Sequence, residues 1–202
     1  MKIVDNKDLI PDYNVLLKVI ESHPLSKNLL GFINNLRIKL SERCGIADEK
    51  INLDMATNDV TLYIGKDTPS KSNYKYILYH EFSHIADKLN PDFKYSDELR
   101  DSLSETESTC VVELWNIYID ARLNDHNLFE LGHQHACIAT IDGQLTRLPK
   151  GVEGKLMEHM ATLERCGMDH NISKNLVEKV WQNPEAFISY EDLINIVSLN
   201  VG

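Results

Sequence analysis

With 202 residues and 23.1 kDa, the chain is long enough to bury a full core without disulfides or a structural metal. Apolar residues make up 43% and charged residues 26%, which excludes wholesale disorder, and no run of about 18 apolar residues offers a membrane span. The balance of 21 basic against 31 acidic residues, −10 overall, repels phosphate backbones, so neither nucleic acid nor a membrane is expected as a partner.

In chain order, Met1–Pro11 mixes charges into its apolar residues and has no apolar h-region, so it does not read as a signal peptide. Pro24 and Ser26 open an expected helix with Leu29, Ile33, Leu36 and Leu40 at helical spacing and Gly45 as its stop. Alternation then takes over. Ile51, Leu53 and Met55, the turn Thr57-Asn58-Asp59, and Val60, Leu62 and Ile64 predict two short strands. A helix follows over about 73–90, closed by Pro91, and a second long one over about 102–124. Residues 125–150, broken by Gly132, Gly143 and Pro149, carry no clear period. Three helical pieces fill the last fifty residues, with Gly167 closing the first and Asn183-Pro184 dividing the second from the third. Their apolar sets include Leu156, Met160 and Leu163, then Leu176 and Val180, then Phe187, Leu193 and Val197. The expected fold class is α+β, mainly helical, in a single domain over 1–202. Cys44, Cys110, Cys137 and Cys166 form no CxxC pair. Reduced thiols and a cytoplasmic location are expected.

The string that carries chemistry is Tyr79-His80-Glu81-Phe82-Ser83-His84-Ile85. Residues four apart share a helix face, so His80 and His84 are able to hold one zinc ion. Glu81 is turned about 100° away. It is suited to act on a water at the ion, taking its proton and delivering it to a leaving amine. The apolar neighbours Leu78, Phe82 and Ile85 put the motif on a packed helix, where buried histidines and an acid need partners.

His80-Glu81-Phe82-Ser83-His84 resembles the zinc helix of the zincin metallopeptidases. The resemblance spans roughly residues 26–125. It implies a core of helix, short antiparallel strands, HExxH helix and third-ligand helix, with the helical part over 150–202 packed on it. It also implies that one strand before the zinc helix lies along the substrate, here Val60–Ile64. The metzincin branch requires Gly at position 87 and His at position 90, where this chain has Asp87 and Asn90. The gluzincin-like branch takes an acid from a later helix as third ligand. Glu105, Glu107, Glu113 and Asp120 are the acids available.

Glu113, Asn116, Asp120 and Asn124 form one polar stripe on an otherwise apolar helix. Such a stripe is either a solvent face or a ligand with neighbours that orient the histidines. Glu113 is the expected third ligand, with Asp120 as the alternative ligand or, like Asn116, a supporting group. Trp115-Asn116-Ile117-Tyr118-Ile119-Asp120 also resembles a stretch of some bacterial predicted metallopeptidases in which the acid corresponds to Asp120. His133 and His135 read as a surface loop, or else as stabilisers of the oxyanion of a tetrahedral intermediate. His23, His126, His159 and His170 are isolated in sequence and read as structural or exposed. Cys110 reads as a small buried hydrophobe, and Trp115 and Tyr118 as core.

Together these readings predict a zinc-dependent metallopeptidase that acts on a peptide or protein substrate. The alternatives are a non-catalytic zincin-like metal-binding protein serving as a regulatory or interaction module, and a helical interaction protein without metal. The sequence does not specify the oligomeric state.

Overall fold

The computed structural model describes residues 1–41, 49–128, 138–141, 144–147, 149, 151–186 and 189–201. The chain forms two compact units, Met1–Leu89 and Asn90–Gly202. Helices outweigh strands throughout, as expected of a mainly helical α+β chain.

The first unit runs β1 (Lys2–Asp5), α1 (Tyr13–Glu21), α2 (Leu29–Phe32), β2 (Asn35–Leu40), β3 (Lys50–Asp54), β4 (Asp59–Ile64) and α3 (Tyr74–Leu89). Its four strands form one sheet in the order β1-β2-β4-β3. The pairs β1–β2 and β2–β4 are parallel, and β3–β4 is an antiparallel hairpin. Asp5 shapes the exit from β1. Its carboxylate accepts from the backbone N–H groups of Lys7 and Ile10 and from the Tyr13 hydroxyl. Asp12 then caps α1 by accepting from the Asn14 N–H at 2.8 Å. One face of the sheet is apolar, with Leu36, Val60, Leu62 and Ile64 fully buried. Leu16, Val19 and Ile20 of α1 and Leu78, Phe82 and Ile85 of α3 are equally sealed, and α3 packs against both α1 and β3. The opposite face is polar. There Arg37 pairs with Asp59 at 2.7 Å, and Lys39 and Lys50 flank the Tyr63 ring from the neighbouring strands.

Two expectations fail in this unit. The helix expected from Ser26 to Gly45 is only the four-residue α2, followed by the strand β2; Gly45 lies outside the described residues. Leu29, Ile33, Leu36 and Leu40 do fit a helical period. However, Leu36 and Ile38 also alternate with exposed Arg37 and Lys39, and that period-two set buries against the helices once β1 and β4 pair on either side. The core therefore begins with a short helix and a parallel strand rather than one long helix, and its sheet is mixed. The second failure concerns the strand expected along a substrate. Val60–Ile64 is β4, an interior strand with both edges paired, to β2 and β3. The hairpin itself matches the alternation, with Asp54 opposite Asp59 and Asn58 in the left-handed region at φ 54°.

The second unit runs α4 (Asp97–Asp101), α5 (Glu105–Asp125), β5 (Ile138–Ile141), β6 (Gln144–Arg147), α6 (Val152–Arg165), α7 (His170–Gln182) and α8 (Tyr190–Asn200). Strands β5 and β6 form an antiparallel hairpin within the stretch that showed no period. The 21-residue α5 is central and packs against α6, α7 and α8. Its start is fixed by a capping box, in which Ser104 accepts from the Glu107 N–H and Glu107 accepts from the Ser104 N–H. Ser189 and Asp192 repeat the device on α8. Around α5 and α8 the rings of Phe93, Tyr95, Trp115, Tyr118 and Tyr190 cluster, and the Tyr190 N–H donates to the Phe93 carbonyl at 2.7 Å. No described helix is long and apolar enough to cross a membrane.

The reversal between α6 and α7 needs its glycine. Gly167 has φ 87°, its N–H donates to the Glu164 carbonyl, and the Met168 N–H reaches back to the Leu163 carbonyl at 3.2 Å. Met168 is buried beyond it. Gly167→Ala is expected to lower stability by about 1–2 kcal/mol, the cost of a Cβ in left-handed backbone, read as a lower urea midpoint with an unchanged slope.

Candidate metal centre

Helix α3 carries the HExxH motif in its middle turns. Tyr76, Leu78, Tyr79, Phe82, Ile85 and Ala86 are buried around it, so the helix is anchored on more than one side. His80 and His84 are half-buried, on adjacent turns, with ring centroids 5.3 Å apart and planes at 75°. Tyr76 lies one turn earlier, its ring 6.0 Å from that of His80. The structure thus brings both expected histidines together on one face.

Glu81 follows His80 directly and is buried, 9% exposed. Burial pushes its carboxyl up to about 7, against the attraction of His80 and with some help from Glu49. Glu49 is itself held beside the next segment: the Thr68 hydroxyl donates to it, and the Lys71 ammonium lies at 2.8 Å. Two imidazoles on adjacent turns, beside a buried acid that exchanges a proton near neutral pH, are a donor set that suits zinc. Among the described residues, no group of three or more His, Cys, Asp and Glu side chains is placed to hold a metal ion.

Glu113 and Asp120 lie on α5 in the second unit, and the structure gives them a partner that local sequence does not show. His159 of α6 is 1% exposed and touches both. Its Nδ1 is 2.7 Å from Glu113 Oε1 and its Nε2 is 3.2 Å from Asp120 Oδ2. Asn116 adds a long contact to Glu113 at 3.4 Å. Lys155, one turn before His159, pairs with Glu158 at 3.1 Å and feels both Asp120 and Glu113. Asp120 is fully buried, so the stripe is not a solvent face. The Arg122 guanidinium stacks 3.7 Å over the Tyr118 ring and donates to the Tyr118 carbonyl.

His159 is therefore not isolated, and neither is His23, which is buried against α3. His126 and His170 are exposed, while Cys110, Trp115 and Tyr118 are core as expected. His133, His135 and Cys137 lie outside the described residues. One signal for His159 was present. It stands at i+3 from Leu156 and four before Leu163, on the apolar stripe of α6, and two carboxylates inside an apolar helix require a partner.

Compared with family models, curated proteins and solved structures, the chain shows no match.

The charge state of this bridge sets a pH dependence. Burial and Lys155 oppose a charge on His159, but Glu113 and Asp120 outweigh them and raise its pKa above the ordinary 6.5. Burial likewise opposes charge on Glu113, yet His159 outweighs it and lowers that pKa below 4.5. The stability contributed by His159 is fully present below pH 6.5 and is lost as pH rises through its raised pKa. That contributed by Glu113 is present above pH 4.5 and is lost as pH falls through its lowered pKa. His159→Ala is therefore expected to cost about 3–5 kcal/mol at a pH between those two values. Denaturant titrations of both proteins should show the gap narrowing as the pH is raised above neutrality.

Proposed function

We propose that the protein is a zinc-dependent metallopeptidase in which His80 and His84 hold the ion and Glu81 is the general base and acid. The observation that carries this reading is the pair of half-buried imidazoles on one face of α3, with a buried carboxyl directly after the first of them. Zinc bound there would lower the pKa of a water toward about 7 and polarise a substrate carbonyl. Glu81 would accept the proton of the attacking water and return it to the departing amine. A carboxyl whose pKa lies close to neutral does both with little driving force lost in either direction. Catalytic zinc has three protein ligands in most sites. The acids expected from the sequence in the third place, Glu113 and Asp120, are both engaged by His159, and this proposal rests on His80 and His84.

The peptide itself would lie along β3 rather than β4. Among the described residues β3 pairs on one side only, and it packs against the helix that carries the histidines. An extended peptide adding to that edge gains main-chain hydrogen bonds without reference to its side chains.

Full-length protein is expected to bind about one zinc per chain and to melt at a higher temperature when zinc is added. The double substitution His80→Ala/His84→Ala should abolish both effects, and an unchanged metal content by elemental analysis would overturn the site. Glu81→Gln is expected to keep the zinc and to lose peptidase turnover by about 10²–10⁴-fold, since the amide keeps the shape and accepts no proton. Equal turnover in the two proteins would remove Glu81 from the mechanism. Absence of turnover in both, across a diverse peptide library, would favour the non-catalytic metal-binding reading.

A further inference from the structure

Just past the C-terminal end of α1, His23 reaches α3. His23 is buried, and its Nε2 lies 3.0 Å from the Tyr79 carbonyl, so that nitrogen carries the proton and donates. Its Nδ1 faces the Leu25 N–H at 3.4 Å, which fits the same neutral tautomer. The Ser83 hydroxyl donates to that Tyr79 carbonyl at 2.8 Å and stands 3.4 Å from His23 Nε2. The His23 and Tyr79 rings are 5.7 Å apart, and Ser22 Oγ is 3.4 Å from the Tyr79 hydroxyl. Tyr79 and Ser83 are four residues apart on one face of α3 and immediately precede His80 and His84 on the next. A grip on the first face therefore fixes the rotation of the helix about its axis, and with it the direction in which both imidazoles project. The helical N–H of Ser83 and the Ser83 hydroxyl leave the Tyr79 carbonyl satisfied without His23. The histidine's bond is thus an addition to the helix that links it to α1.

We propose that His23 is a positioning residue for the metal pair, holding α3 through the Tyr79 carbonyl so that His80 and His84 converge on one ion. This rests on the reading of those two histidines as zinc ligands. Donation from Nε2 is the feature that matters, and the bulk of the ring is secondary. A glutamine places its amide nitrogen near the position of Nε2 and keeps the donor. A leucine fills a similar volume and has none.

The test is zinc affinity of the full chain, measured by competition with a chromophoric chelator, together with the visible spectrum of the cobalt(II)-loaded protein. His23→Leu is expected to weaken zinc by about 10–100-fold, as removal of groups that orient metal ligands does, and to shift the cobalt bands. His23→Gln is expected to bind within a few-fold of wild type with an unshifted spectrum. Thermal melts of the metal-free proteins show whether the variants fold. If leucine binds zinc as tightly as wild type, or if glutamine is as weak as leucine while both remain folded, His23 is packing and the proposal is overturned. If leucine does not fold, His23→Met takes its place as the donor-free side chain, with the same expected and overturning results. If wild type binds no zinc, or binds it equally after His80→Ala/His84→Ala, the metal reading itself has failed and this proposal fails with it.

Discussion

Taking a carboxylate out of water costs several kcal/mol, and a protein meets that cost either by supplying a cation or by letting the group hold its proton. Both answers occur in this chain. Burial holds the Glu81 carboxyl up to about 7, with His80 attracting its charge and Glu49 repelling it. Glu113 and Asp120 share His159, with Lys155 behind it, and Glu113 stays charged to lower pH than a free glutamate. The difference follows from what packs against each acid. Glu81 is buried on a helix whose other buried side chains are mostly apolar, whereas α6 brings a base to the other two. An acid left to carry its proton is suited to moving it, and acids locked to an imidazole are suited to staying where they are.

The geometry of the first unit serves the same end. Three parallel strands and one antiparallel strand give α3 an apolar floor, and α1 lies beside it. Against such a floor a helix has one preferred roll, set by which side chains are large and apolar. Phe82, Leu78 and Ile85 fix that roll from the sheet side, and the α1 terminus fixes it from another. The histidines are left half-open because they occupy neither packed face. The proposed chemistry would depend on this remainder, since a buried pair would be closed to a substrate and a fully exposed pair would be free to turn.

Much of this was legible in the sequence where a local rule governs. The hairpin over 50–64 follows strict alternation, α3 and α5 follow helical period, and Ser104 and Glu107 announce the start of α5 three residues apart. The pair His80 and His84 is a local fact of helix geometry, and the fold needed only to put it at a surface. What was not legible depends on partners distant in sequence. Leu36 and Leu40 satisfy two periods at once, and only pairing with β1 and β4 selects the strand. Position within a sheet is equally non-local, so nothing in Val60–Ile64 tells that both its edges are used. His159 stands 46 residues from Glu113, and its isolation in sequence says nothing about its company in space.

The bond from the Tyr190 N–H to the Phe93 carbonyl joins residues near the two ends of the second unit. Every element of the first unit is contained in Met1–Leu89, so on a ribosome its core is complete while much of the chain is still to be made. The second unit has no such advantage. Phe93, Tyr95 and Trp115 emerge early, yet the ring that covers them belongs to residue 190. For most of its synthesis this aromatic surface lacks its final partner, a state in which nascent chains engage chaperones or one another. The two units therefore differ in exposure during synthesis, with the later one the more dependent on prompt completion of the chain.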